Sequence, residues 1–98
     1  MLTPRPLGRT GLKVSPLGLG TVKLGRNRGV KYPAEFEIPT DVQAAELLRR
    51  AQKLGITLLD TAPAYGEAEE RIGRIIGSCG GRDRWTIVTK AGEEFDPA

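Results

Sequence analysis

TDVQAAELLRRAQKLGITLLD, residues 40–60, decides the fold. Thr40, Asp41, Val42 and Gln43 have the form of a capping box: the threonine hydroxyl can accept from the Gln43 amide, and the glutamine side chain can reach back to the cap amide. Behind the cap, Ala44, Leu47, Leu48, Ala51 and Leu54 recur at helical period and make one apolar stripe. Arg49, Arg50 and Lys53 suit the negative C-terminal end of a helix, and Gly55 can take the left-handed stop. Ile56-Thr57-Leu58-Leu59-Asp60 then forms a nearly continuous apolar run, the pattern of a parallel strand covered on both faces.

Working outward, residues 5–16 read as a hairpin with a corner at Arg9-Thr10-Gly11. Leu17 to Thr21 is a small apolar strand, and a loop rich in Arg, Gly and Pro runs from Gly25 to Pro39. A second helix fits Ala68 to Ile76, with Ala68, Ile72, Ile75 and Ile76 on one face, Glu67, Glu69 and Glu70 in or beside the first turn, and Gly77 as its stop. A loop from Ser78 to Arg84 leads to a third strand, Trp85 to Lys90. The order is a hairpin followed by β-α-β-α-β, which implies a parallel sheet with right-handed crossovers.

Two families of parallel sheet compete for this pattern. A doubly wound dinucleotide fold needs Gly-x-Gly-x-x-Gly running straight into a helix, whereas Gly18-Leu19-Gly20-Thr21-Val22-Lys23 lacks the third glycine and enters a loop. In an eight-unit barrel of typical size each βα unit averages about 31 residues. Ile56 and Trp85, the first residues of two strands, stand 29 apart. The expected fold is α/β, a partial (β/α)8 TIM barrel, with residues 1–98 as a single incomplete domain whose tail from Glu93 to Ala98 adds no further element.

The composition supports a folded chain: 39% hydrophobic and 28% charged residues over 98 positions. No apolar run approaches the roughly 20 residues of a membrane span, and Met1 to Leu12 is broken by Pro4, Pro6, Gly8 and Arg9. Cys79 is the lone cysteine, which fits a cytoplasmic protein without an internal disulfide. With no histidine, the residues hold neither a histidine-based triad nor a histidine-ligated metal, and no metal is expected. The net charge of +3 is unevenly spread, since Arg5, Arg9, Lys13, Lys23, Arg26, Arg28 and Lys31 precede the first acid, Glu35. A nucleic-acid partner would use such a cluster, but no reader motif or group of aromatics accompanies it, and solvated loops are the simpler explanation.

Function in barrels gathers at the C-terminal ends of strands. Three exits qualify: Gly20-Thr21, Asp60 and Lys90, with Tyr65 following Asp60 in a Pro-Gly loop. Singly, each has an ordinary reading, as a strand terminator, a solvated end residue or an aromatic lid. Together they would place a carboxylate, an ammonium and a phenol at one mouth. A free phenol, with a pKa of about 10, is a poor proton donor at neutral pH. An adjacent lysine cation favours the phenolate, and a carboxylate paired to the lysine keeps it charged and oriented, giving a general acid suited to neutral pH.

RTGLKVSPLGLGT (residues 9–21), ITLLDTAPAYGEAEERIG (56–73) and WTIVTK (85–90) resemble the opening of the aldo-keto reductases. The resemblance spans nearly the whole chain and implies that Asp60, Tyr65 and Lys90 are three members of a catalytic tetrad. Their implied roles are proton donor for Tyr65, modulator of its acidity for Lys90, and holder of Lys90 for Asp60. It further implies hydride transfer from NADPH, with NADH as the alternative, to an aldehyde or ketone. Gly20, Thr21 and Val22, together with Asp60, then match the segment beneath the nicotinamide. The tetrad histidine, the later strands that grip the nicotinamide and the basic residues that hold the adenosine phosphate have no counterpart within residues 1–98.

The expected partner is accordingly a small carbonyl compound, with neither nucleic acid nor membrane. For the isolated 98-residue chain the expectation is inactivity, with self-association through open strand edges as the alternative to a catalytic role.

Overall fold

The computed structural model describes residues 2–25 and 37–92; Met1, most of the loop between Gly25 and Pro39, and the tail from Glu93 lie outside the described residues. A two-stranded antiparallel ribbon opens the chain, β1 (Arg5–Pro6) and β2 (Lys13–Val14), in the register Arg5 to Val14 and Pro6 to Lys13. Its turn is closed by the Leu7 amide donating to the Leu12 carbonyl at 2.9 Å and the Thr10 hydroxyl donating to the Leu7 carbonyl at 2.6 Å.

The ribbon is fastened to the rest of the molecule by a reciprocal pair. The Ser15 amide donates to Thr57 Oγ1, and the Thr57 amide donates to Ser15 Oγ, both at 2.9 Å. Three residues farther on, the strand β3 (Gly18–Gly20) begins, and it pairs parallel with β4 (Leu58–Asp60), which pairs parallel with β5 (Thr86–Val88). The register aligns Gly18, Leu58 and Thr86, then Leu19, Leu59 and Ile87, then Gly20, Asp60 and Val88.

Side chains alternate across a strand, so these three rows face opposite ways in turn. The middle row points at the helices: Leu59 is fully buried, and Leu19 and Ile87 pack against the same core. The flanking rows face the other side, where Val88 keeps 40% of its surface and both glycines are exposed. The apolar run of β4 predicts cover on both faces; among the described residues only the helix face is covered.

Helix α1 (Asp41–Lys53) starts at the predicted capping box, with the Gln43 amide donating to Thr40 Oγ1 at 3.2 Å and the Thr40 amide donating to Gln43 Oε1 at 2.9 Å. It ends as the sequence predicts. Gly55 lies at φ +92°, and its amide and that of Ile56 donate to the carbonyls of Gln52 and Ala51, both at 3.0 Å, a Schellman closure. The buried stripe is narrower than predicted: Ala44, Leu48 and Ala51 are buried, whereas Leu47 and Leu54 remain 41% and 64% exposed. Neither joins the buried core.

Helix α2 (Ala68–Cys79) buries Ala68, Ile72, Ile75 and Ile76 as expected but runs past Gly77. Gly77 sits on the exposed side of the helix, where a missing side chain costs only propensity. The turn to φ +78° comes at Gly80, with its amide on the Ile76 carbonyl at 2.7 Å. A short 3-10 turn, Arg82–Arg84, then delivers Trp85 into the core at 4% exposure, so the third strand pairs only from Thr86.

Sequence patterning gave no sign of Arg71. It lies on α2 among apolar residues and is 5% exposed, yet every part of its guanidinium is engaged. Nη1 donates to the Leu24 carbonyl, Nη2 to the Pro39 carbonyl at 2.6 Å, and Nε to Asp41 Oδ1 at 3.1 Å. One buried cation thereby joins the 3-10 turn after β3 (Val22–Leu24), the approach to α1 and α1 itself. The hydrogen bonds from Arg71 and then from Arg74 hold the Asp41 carboxyl below its ordinary 3.8. A depressed carboxyl stabilises the fold above its unfolded pKa, and that contribution disappears as the pH falls through the folded value.

Gly25 closes the same corner. Its backbone approaches α2 so closely that a Cβ would lie 2.2 Å from the Tyr65 carbonyl oxygen and 2.2 Å from the Ala68 nitrogen. Both obstacles are main chain, so no rotamer change can relieve the clash. Gly25→Ala is expected to destabilise the protein by about 1–3 kcal/mol, the range for overpacking. Gly20→Ala, where a Cβ meets nothing within 4 Å, serves as the control. Urea unfolding midpoints of the two variants test this, with equal midpoints as the contrary result.

Candidate active site

Gly20, Asp60 and Val88 form the last row of the parallel ladder, and the chemistry-bearing side chains gather just beyond it. Asp60 is fixed through its backbone. Its carbonyl accepts from the Thr21 amide at 3.1 Å and from Thr21 Oγ1 at 2.9 Å, and the next residue, Thr61, donates its amide to the Val88 carbonyl at 2.8 Å. The carboxylate therefore leaves the sheet on the open face, opposite the buried Leu59.

Tyr65 arrives from the same strand by a tight turn. Its amide donates to the Ala62 carbonyl and its carbonyl accepts from the Ala68 amide, each at 3.1 Å, so the ring is carried on the start of α2. Ala62 and Ala64 are buried, leaving Tyr65 half-buried against the core with its hydroxyl toward the mouth.

Lys90 completes the group. Its ammonium donates to Asp60 Oδ1, to the Thr61 carbonyl at 3.0 Å and to Tyr65 Oη at 3.2 Å. It also stands 4.9 Å from the centroid of the tyrosine ring. The three residues picked from the sequence converge as expected, with Lys90 touching both partners. All three donor positions of the ammonium are used, which fixes its direction.

The hydrogen bond to Asp60 is the main reason the Lys90 pKa rises above its ordinary 10.5; the contact with Tyr65 adds to the rise and partial desolvation opposes it. Lys90 is consequently a cation throughout the neutral range.

The Gly20 to Val22 segment lies beside this group but contributes differently at each position. Gly20 is exposed and presents open space where a Cβ would stand. Thr21 is fully buried, and its hydroxyl is committed to the Asp60 carbonyl. Val22 is half-buried at the start of the 3-10 turn. Among the described residues no three His, Cys, Asp or Glu side chains meet in a way that could hold a metal ion, and no helix is long and apolar enough to cross a membrane.

Sequence reasoning overlooked Glu69. Its Oε2 accepts from the Thr89 hydroxyl at 2.5 Å, beside Lys90. The first-turn acids of α2 read naturally as dipole partners, and only the alternation of Thr89 and Lys90 along the strand could have flagged the contact.

The sequence model of the Aldo/keto reductase family matches residues 16–97. Aldo-keto reductase YhdN of Bacillus subtilis is 40% identical over 83 residues, which cover 83% of this chain and 23% of that protein. L-galactose dehydrogenase of Arabidopsis thaliana is 35% identical over 98 residues, 94% of this chain and 28% of its own. Among solved structures, PA4992 of Pseudomonas aeruginosa, assigned to the aldo-keto reductases, superposes with a TM-score of 0.79 at 60% identity, covering 95% of this chain and 36% of that one. The holo form of aldo-keto reductase AKR11C1 from Bacillus halodurans gives 0.72 at 28% identity, over 98% and 28%. The chain thus spans about a quarter to a third of the length of these relatives. These neighbours are (β/α)8 barrels, and the β-α-β-α-β unit here superposes on part of one without closing.

Asp60→Asn removes the leading cause of the raised Lys90 pKa while keeping a neutral acceptor. An NMR titration of the Lys90 Cε resonance is expected to show a midpoint above 10.5 in the unmodified protein and a lower one in Asp60→Asn. A raised lysine stabilises the fold below its unfolded pKa and loses that contribution as the pH rises through the folded value, so the two proteins should converge in stability at strongly alkaline pH. Identical midpoints would mean that the ion pair does not form in solution.

Proposed function

The chain belongs to the aldo/keto reductase family, an oxidoreductase family, and on that premise we propose that the full-length protein reduces an aldehyde or ketone to an alcohol with NADPH, Tyr65 serving as proton donor. The observation that carries this reading is the triple contact of the Lys90 ammonium with Asp60, the Thr61 carbonyl and the Tyr65 hydroxyl.

The residues present fit a nicotinamide cofactor on one structural ground. The Gly20 position is a floor without a side chain, in register with the Asp60 carboxylate on the open face of the sheet. Gly20 and Val22 would lie beneath the nicotinamide, with Asp60 as a hydrogen-bond acceptor; buried Thr21 would act through its hold on the Asp60 carbonyl. When bound, NADPH would supply the hydride that reduces the carbonyl carbon, being oxidised to NADP+ in turn.

The chain's own residues account for the proton. As the carbonyl oxygen gains negative charge, the Tyr65 phenol gives it the proton that makes the alcohol, and a phenolate remains. Lys90, donating to that phenol oxygen, stabilises the phenolate at the moment it forms. Asp60 and the Thr61 carbonyl keep the ammonium in place without competing for the phenol. The single free cysteine, Cys79, is exposed and supports a cytoplasmic location.

For the 98-residue chain expressed alone we propose inactivity with self-association. Val88, 40% exposed on the open sheet face, supports this. A monodisperse monomer with a cooperative melt would rule that second reading out.

Tyr65→Phe in the full-length protein is expected to lower kcat by about 10²–10⁴-fold, the usual worth of a general acid, with the Kd for NADPH little changed. Fluorescence titration of both cofactors separates NADPH from NADH preference, and unchanged turnover in Tyr65→Phe would transfer the proton-donor role to another group.

A further inference from the structure

Beyond Val88 the chain leaves the sheet, since the Val88 carbonyl takes the Thr61 amide and Lys90 lies two residues farther on. Lys90 must nonetheless present its ammonium to groups on two different supports: Asp60 on β4 and Tyr65 on the approach to α2. Among the described residues no ladder bond to β4 fixes the chain beyond Val88, so the direction of Lys90 depends on side-chain contacts.

The alternation of β5 shows what prevents this. Val88 shares the Asp60 row and Ile87 the helix-facing row. Continuing the pleat, Thr89 points to the helices and Lys90 to the open face. On the helix side Thr89 meets Glu69 in the first turn of α2, and its hydroxyl donates to Oε2 at 2.5 Å. On the other side Lys90 meets Asp60 and Tyr65. The two contacts oppose each other across one strand end, so fastening Thr89 sets the facing of Lys90.

The support matters as much as the bond. Glu69 lies four residues after Tyr65, and the Ala68 amide donates to the Tyr65 carbonyl, so both belong to one rigid start of α2. A carboxylate there ties the strand end bearing Lys90 to the same body that carries the phenol. From this we infer that Glu69 is a positioning residue, acting through Thr89 to hold the Lys90 ammonium against the Tyr65 hydroxyl. The inference rests on the catalytic reading of Tyr65 and Lys90 given above.

The test uses the full-length protein, with melting temperatures confirming that each variant folds. Thr89→Val and Glu69→Ala should each lower kcat roughly ten- to hundredfold, as expected for a catalytic group displaced by a fraction of an ångström to about 1 Å, with KM for carbonyl and cofactor within about twofold. The double variant should be no slower than the slower single one, because both remove the same bond. Thr89→Ser, which restores the hydroxyl, and Glu69→Gln, which keeps an acceptor oxygen, should recover most of the turnover. Tyr65→Phe runs alongside. If it abolishes turnover while Thr89→Val retains the full kcat, the positioning role is overturned and the catalytic reading stands; if Tyr65→Phe is fully active, the catalytic reading falls and the inference with it.

Discussion

Neighbouring side chains on an extended strand point in opposite directions, and at Leu59-Asp60 that constraint separates the structure from its chemistry. Leu59 must go toward the helices, because it is the fully buried centre of the core. Asp60 then has no choice of face. The same alternation places Lys90 opposite Thr89, and the parallel register puts Gly20 in the Asp60 row. A one-residue slip of β4 would bury the carboxylate and expose the leucine, so the hydrophobic core enforces the orientation of the polar cluster.

Energetics supports that order of dependence. The Asp60 and Lys90 side chains are 48% and 46% exposed. Ion pairs exposed to that degree contribute at most about 1 kcal/mol. The pair cannot hold the strands in register; the strands hold the pair. Arg71 belongs to the other class. Its side chain is only 6% exposed and bonds two main-chain carbonyls besides Asp41, so its removal would leave the buried Leu24 carbonyl unsatisfied. Stability sits in the Leu59 core and the Arg71 clasp, away from the open face where polar groups remain available to a ligand.

How much of this was legible in the sequence follows from the range of each interaction. The capping box at Thr40, the Gly55 closure and the apolar run of β4 are local: their partners lie within a few residues, and periodicity reveals them. The Asp60, Tyr65 and Lys90 group is legible from strand ends together with the family resemblance of residues 9–21, 56–73 and 85–90, and the geometry brings the three together. Arg71 was invisible because its acceptors are carbonyls 32 and 47 residues away, and a main-chain carbonyl carries no sequence signature. The stop of α2 was misplaced because a glycine marks a helix end only where the backbone turns left-handed, and Gly77 does not while Gly80 does. Leu47 and Leu54 show a related limit: periodicity says which way a side chain points, not how wide the neighbouring surface is.

The open face also explains why a cluster so weak by itself can matter. Facing water, the Lys90 ammonium would act on a Tyr65 phenolate through a high effective dielectric, and the attraction between two unit charges at about 3–4 Å is worth little more than about 1 kcal/mol. Covering that face with further barrel strands or a planar ligand over Gly20 would exclude water. The same contacts would then act in a medium where they are several times stronger, with no change in geometry. The sheet, the Tyr65 turn and the Glu69–Thr89 bond supply the geometry in advance, so what closure adds is dielectric rather than arrangement.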